Sequence, residues 1–207
     1  MNAAASGDEE MAPTDIMWNR SEAVAGTGRM VAVTGIRGAA PHQEDLFGET
    51  DSGPNAEPVL MALHAEYYEL IWQGLKTHEF RRRFLEGRST RWFVYLNAPV
   101  SRLGAVIALG PAVVDTPRRI AAIAEQARSG NGVSVLKYVQ DLERAFAIPI
   151  LHVSEYPGLS ADELRDELGR FHPPQGYVRL NQHPQMLRLC EKVAADAPIR
   201  QMTVHHQ

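Results

Sequence analysis

From Val59 onward the apolar residues fall in blocks no longer than a strand, each closed by glycine, proline or charged residues. Val59 to His64, Lys76 to Phe84, Arg91 to Ala98, Leu103 to Val114 and Phe146 to Glu155 are such blocks. In the third, Trp92, Val94 and Leu96 alternate with Phe93 and Tyr95, the period of two that places residues on opposite faces of a sheet. Gly104 and Gly110-Pro111 interrupt the fourth and predict a bend. Helical spacing appears between the blocks. Tyr67, Leu70 and Ile71 mark a helix over 65–73 that ends at Gly74, and Ile120, Ile123, Ala124 and Ala127 form a stripe behind Thr116-Pro117. A second insert helix is expected over 133–144. Beyond the last block, Ser160 and Glu163 spell a capping box, His172 to Tyr177 reads as an ordered loop, and Pro184 to Ala194 as a final helix. This order predicts an α+β fold, a small curved sheet with flanking helices.

Charge divides the chain. Met1 to Glu57 carries ten acidic residues against Arg20, Arg29 and Arg37, a balance of -7, while residues 58–207 hold 18 Lys or Arg and 15 Asp or Glu, a balance of +3. The first segment has too few large apolar residues to offset its ordering entropy and is expected to be a disordered or loosely docked arm; Met30 to Ile36 is its one apolar stretch. The expected division is therefore an acidic arm over 1–57, a central domain over 58–157, and a helical extension over 158–207 packed on that domain. The single cysteine, Cys190, excludes an internal disulfide and sits on an amphipathic helix as a packing residue. No apolar run reaches membrane-spanning length and the start lacks the order of a signal peptide, so a cytoplasmic location is expected. The histidines show no metal-ligand spacing, and no metal or cofactor is expected.

Gly74-Leu75-Lys76-Thr77-His78-Glu79-Phe80-Arg81 follows the first helix and opens a strand. This Gly-x-Lys-x-x-Glu-x-Arg pattern resembles the signature of ASCH domains, in the PUA-like superfamily, and Leu63 to Ile71 is similar to that family's opening strand and helix. The resemblance covers roughly 58–157; Ala65 stands where the family commonly has proline. It implies a small β-barrel-like fold with a cleft beside the motif, and the binding of RNA or another nucleic acid. Some relatives are ribonucleases, and others are amidohydrolases acting on an acetylated nucleoside with a Lys, a Thr three residues later and a distant Glu. Here Glu79 takes the threonine's place and Glu155 could supply the distant carboxylate, so a catalytic alternative centres on Lys76, Glu79 and Glu155.

The residues themselves point to an anion. From Lys76 to Arg91 six cations face two carboxylates, a local +4. Strand alternation places Glu79 and Arg81 on one face, where the carboxylate can orient the guanidinium and leave donors for phosphate. The expected contacts to nucleic acid, or to a nucleotide-like small molecule, are Lys76, Arg81, Arg82 and Arg83. Tyr68 or Tyr95 would stack on a base, and His64 would line the cleft. Gln43-Glu44-Asp45-Leu46-Phe47 is similar to the pentapeptide that docks proteins on a replication sliding clamp, so Gln43, Leu46 and Phe47 make the arm a candidate partner-binding element. The acidic arm is also expected to compete for the basic cleft.

Overall fold

The computed structural model describes residues 56–206, so Met30 to Ile36 and the Gln43 to Phe47 pentapeptide lie outside the described residues. The elements run β1 (Glu57–Leu63), α1 (Ala65–Trp72), β2 (His78–Arg81), β3 (Thr90–Leu96), β4 (Arg102–Leu109), β5 (Val113–Asp115), α2 (Pro117–Ala127) and α3 (Asn131–Val139). They continue with β6 (Ala145–Ser160), α4 (Ala161–Leu168), β7 (Tyr177–Arg179), a 3-10 turn, α5 (Pro184–Ala194) and β8 (Arg200–Thr203). The eight strands form one sheet in the order β2-β6-β4-β3-β1-β7, with β5 and β8 also paired to β6. It curls into half a barrel. Among the described strands only β1 and β3 pair in parallel, and the stretch through α1 and β2 that joins them is long enough for the crossover such a pair needs.

The long strand β6 explains the curl. Its first part, Ala145 to Pro149, lies between β2 and β5; its second lies between β4 and β8. The pairing with β4 shifts register twice, between Leu103 and Ala105 and between Ala108 and Leu109. At the first shift Gly158 has φ +70, and a Cβ there would sit 2.1 Å from the Leu103 carbonyl oxygen. Only glycine lets the two backbones approach so closely.

Three apolar clusters fill the layers. Val59, Met61, Trp92, Val94, Ile107, Ile148 and Ile150 pack with Tyr68 and Ile71 of α1 on one face of the sheet. Leu60, Phe93, Tyr95 and Leu103 pack on the other, under Leu164 of α4 and Met186, Leu189, Cys190 and Val193 of α5. Those four α5 residues recur at i, i+3, i+4 and i+7, and burying each large one stabilises by about 1.5–3 kcal/mol. Cys190 is buried there, and desolvation pushes its thiol up to about 12. Phe80, Ile120, Ala124, Val135 and Val139 close the third cluster under α2 and α3.

Several elements fall where the sequence places them, including α1, α2, α5 and the helix behind the Ser160–Glu163 capping box. Others differ. The expected strand over 76–84 narrows to β2, because Arg82 turns off to α3; the block 103–114 breaks at Gly110-Pro111 into β4 and β5. β7 and β8, from residues after 157, pair with β1 and β6. No helix among the described residues is long and apolar enough to cross a membrane.

Candidate functional site

The Gly-x-Lys-x-x-Glu-x-Arg stretch has a physical reading at each fixed position. α1 ends in a Schellman motif: Gly74 N–H donates to the Ile71 carbonyl at 2.9 Å, and Leu75 N–H to the Leu70 carbonyl at 2.9 Å. Gly74 supplies the left-handed φ of +70 that this geometry needs. The Lys76 N–H also donates to the Leu70 carbonyl, at 3.0 Å, so the end of the helix sets where the lysine leaves the backbone. Its Nζ reaches Glu79 Oε2 at 2.8 Å, and Arg81 Nε lies 2.9 Å from Glu79 Oε1.

β2 holds this trio by register. Glu79 faces Ile148 and Arg81 faces Phe146, so both carry their side chains to the main core face, whereas Phe80, opposite Ala147, packs under α2 and α3. The shared face of Glu79 and Arg81 is thus as alternation predicts, but deeper: Lys76, Glu79 and Arg81 are only 5%, 6% and 7% exposed. Burial alone would push the Glu79 carboxyl up; the adjacent Lys76 and Arg81 cations outweigh it and hold the group below the usual carboxylate range. Two buried cations share one carboxylate, and Arg81 has no second acidic partner among the described residues.

Around the trio the basic run is largely neutralised by carboxylates remote in sequence. Arg82 makes a bidentate pair with Asp141, both contacts at 2.7 Å, and donates to the Tyr138 carbonyl. Arg88 pairs with Glu57 and Arg91 with Glu191. Arg83 is exposed and forms no ion pair among the described residues. His78 sits between Thr77 Oγ1, at 3.0 Å from its Nδ1, and the His206 ring, 5.0 Å away. Burial, then the charges of His206 and Lys76, push its imidazole down to about 4.

Glu155 and Tyr68 belong to a different node. The Tyr68 hydroxyl donates to Glu155 Oε2 at 3.2 Å, and burial with the nearby carboxylate pushes its phenol upward. Arg102 and Arg200 reach the same carboxylate at 3.1 and 2.7 Å, and Arg200 lies 4.1 Å above the Trp72 ring. Tyr68 is 2% exposed, with Trp72 edge-on at 5.9 Å.

Tyr95 and His64 meet at a third place, an open recess of about 570 Å3 whose walls also carry Asn97, Arg165, His172 and Gln175. His64 sits at the N-terminus of α1, its carbonyl accepting from the N–H groups of Tyr67 and Tyr68. Asn97 stands two residues before Pro99, a turn signal, and Gln175 lies in the loop expected over His172 to Tyr177; nothing local marks Arg165. Arg102, Asp141 and Arg200 have no sequence signal at all, since their roles exist only through long-range pairing. Among the described residues no group of three or more His, Cys, Asp or Glu side chains could hold a metal ion.

No family model matches the sequence, and no curated protein matches it. Solved structures do share the fold. The crystal structure of ASCH from Zymomonas mobilis superposes with a TM-score of 0.53 at 23% identity, over 64% of this chain and 95% of that one. Two single-residue variants of ZmASCH give TM-scores of 0.56 and 0.55 at 21% and 22% identity, over 67% and 65% of this chain and 98% and 97% of theirs. The chain therefore has an ASCH-like α+β fold.

Proposed function

We propose that the chain binds single-stranded RNA, another single-stranded nucleic acid or a nucleotide-like ligand at the Lys76–Glu79–Arg81 trio. The observation that carries this reading is Arg81, a buried guanidinium whose one acidic partner among the described residues is a carboxylate shared with Lys76. Buried charges are ordinarily matched one to one, because an unmatched ion in a low-dielectric surrounding costs several kcal/mol. Here one carboxylate serves a lysine and an arginine, and the Glu79 contact engages only Nε of the guanidinium. An incoming phosphate offers Arg81 a second anionic partner, and a planar guanidinium with Glu79 on its Nε side has an outer edge that fits two phosphate oxygens. Exposed Arg83, two residues along, adds attraction at longer range. The ASCH-like fold supports the same class of ligand.

Binding, not catalysis, is the role we assign to Lys76 and Glu79. Lys76 is held to Glu79 at 2.8 Å, and Glu155 is engaged by Tyr68, Arg102 and Arg200. The remaining cations of the basic run, Arg82 foremost, secure the fold around the trio.

Fluorescence anisotropy with a labelled single-stranded oligoribonucleotide tests the reading. Log affinity should fall linearly with log salt, and Arg81→Lys, which keeps the charge and loses the fork, should weaken binding about ten-fold. Unchanged affinity in a folded Arg81→Lys, Arg83→Ala double variant would overturn it. RNA cleaved by the wild type and left intact by Lys76→Ala would replace binding by catalysis.

A further inference from the structure

The recess at the other end of α1 carries polar groups the fold does not use. Tyr95 is 3% exposed, its ring packed 5.1 Å from Phe171, yet it lines the recess and its hydroxyl has no hydrogen-bond partner among the described residues. The hydroxyl is not among the buried atoms left without a partner, so it opens on the recess, where an incoming polar group can meet it. The side-chain amides of Asn97 and Gln175 and the imidazole of His172 are likewise unspent among the described residues. None of the lining residues is acidic, and Arg165 supplies a guanidinium that is half exposed and, among the described residues, paired with Asp162.

The backbone holds these groups in place. The turn after β3 is tied by the Asn97 N–H to the Leu63 carbonyl at 2.9 Å, and by Val100 and Ser101 N–H groups to the Asn97 carbonyl. Ser101 is held at φ 49, a left-handed value that a non-glycine residue adopts at some cost, and its carbonyl accepts from the Ala161 N–H at 3.0 Å. That bond ties the turn to the start of α4, which also carries Arg165. Three separate segments, 97–101, 161–165 and 172–175, thus present donors and acceptors to one volume.

We propose that this recess binds one unpaired nucleotide, with Tyr95, Asn97 and Gln175 reading the base edge, His64 and His172 against the ring faces, and Arg165 on the phosphate. A primary amide offers a donor and an acceptor side by side, the pattern that pairs with a base edge, and a phenol adds one further contact. A volume of about 570 Å3 suits one such unit and is far too small for a duplex. The choice of ligand class rests on the nucleic-acid reading above, but the site does not: His64 of the recess precedes α1, a helix of 8 residues and about 12 Å, and the trio follows it.

The full chain should be titrated calorimetrically with the four nucleoside 5′-monophosphates, their nucleosides and inorganic phosphate. At least one monophosphate should bind at 1:1. Tyr95→Phe, which removes one unpartnered hydroxyl and leaves Tm unchanged, should weaken it about ten-fold, and Gln175→Ala several-fold. Arg165→Ala should weaken the monophosphate and leave its nucleoside unaffected. Displacement of the monophosphate by a decaribonucleotide would assign the nucleotide to a strand, and its retention would assign it to the free pool; both uphold the chemistry. Binding of no monophosphate, or equal binding to wild type and the folded Tyr95→Phe and Gln175→Ala variants, overturns the proposal. The two readings separate cleanly. RNA binding that depends on Arg81, without Tyr95-dependent monophosphate binding, removes this site alone; Tyr95-dependent monophosphate binding without any RNA binding removes the trio interface alone.

Discussion

At the residue scale Glu79 is the node on which the motif depends. It lies against two buried cations at once, at 2.8 and 2.9 Å, although the Arg81 Nε–H is not aligned for a hydrogen bond. Removing its charge takes from buried Arg81 its one acidic partner among the described residues and from buried Lys76 a carboxylate at 2.8 Å, so Glu79→Gln should destabilise the fold by about 3–5 kcal/mol in urea unfolding. A loss near zero would mean that water already solvates the cations. His78 makes a second, pH-dependent claim. Its folded imidazole is pushed down from the ordinary 6.5 to about 4 by burial, then by His206 and Lys76. The unfolded chain takes up that proton first, so the associated stability is fully present above about 6.5 and is lost as pH falls toward 4. The wild type should lose stability through this window, and His78→Asn should flatten that part of the profile. The depressed Glu79 acts in the same sense at lower pH: its contribution is present above the ordinary 4.5 and lost as pH falls through the folded value.

At the element scale the glycines decide two junctions differently. Gly74 has open space around its missing Cβ, so Gly74→Ala pays only for a left-handed φ, about 1–2 kcal/mol. Gly158 has the same φ of +70 but a backbone oxygen 2.1 Å from where a Cβ would stand. Gly158→Ala should therefore cost clearly more, about 3 kcal/mol or above, measured by thermal unfolding of the two variants side by side. Equal losses would show that β4 and β6 yield at the bulge. The elements legible in the sequence are those whose signal is local. The stripe of α5, the capping box of α4 and the alternation of β3 each lie within a few residues. β7 and β8 are three and four residues long with half-exposed or exposed side chains, and only their partners β1 and β6 make them strands. The same limit governs the sites. Gly74 to Arg81 was readable as a unit, and His64 and Tyr95 as single candidates, but their meeting with Asn97, Arg165 and Gln175 is a product of the curled sheet.

For the whole molecule, the local excess of +4 between Lys76 and Arg91 is mostly spent on the fold. Glu57, Asp141 and Glu191 meet Arg88, Arg82 and Arg91 across 31, 59 and 100 positions of sequence. Glu57, counted with the acidic segment, is itself the first residue of β1 and pairs with Arg179 as well as Arg88. Within that run, Arg81, which shares Glu79 with Lys76, and exposed Arg83 are the cations the proposed polyanion contact rests on. An arm that still carries nine acidic residues against three arginines over 1–56 would compete for that charge at low ionic strength. Deleting residues 1–55 should tighten single-stranded RNA binding in 20 mM salt and leave it unchanged in 200 mM; equal affinity of the full chain and the deletion at 20 mM would exclude the competition. The most direct test of the central claim is the affinity of wild type and Arg81→Lys for one labelled single-stranded oligoribonucleotide across a salt series. A linear salt dependence with an approximately ten-fold loss in the variant is the predicted result. Superposable curves for two equally folded proteins would contradict it.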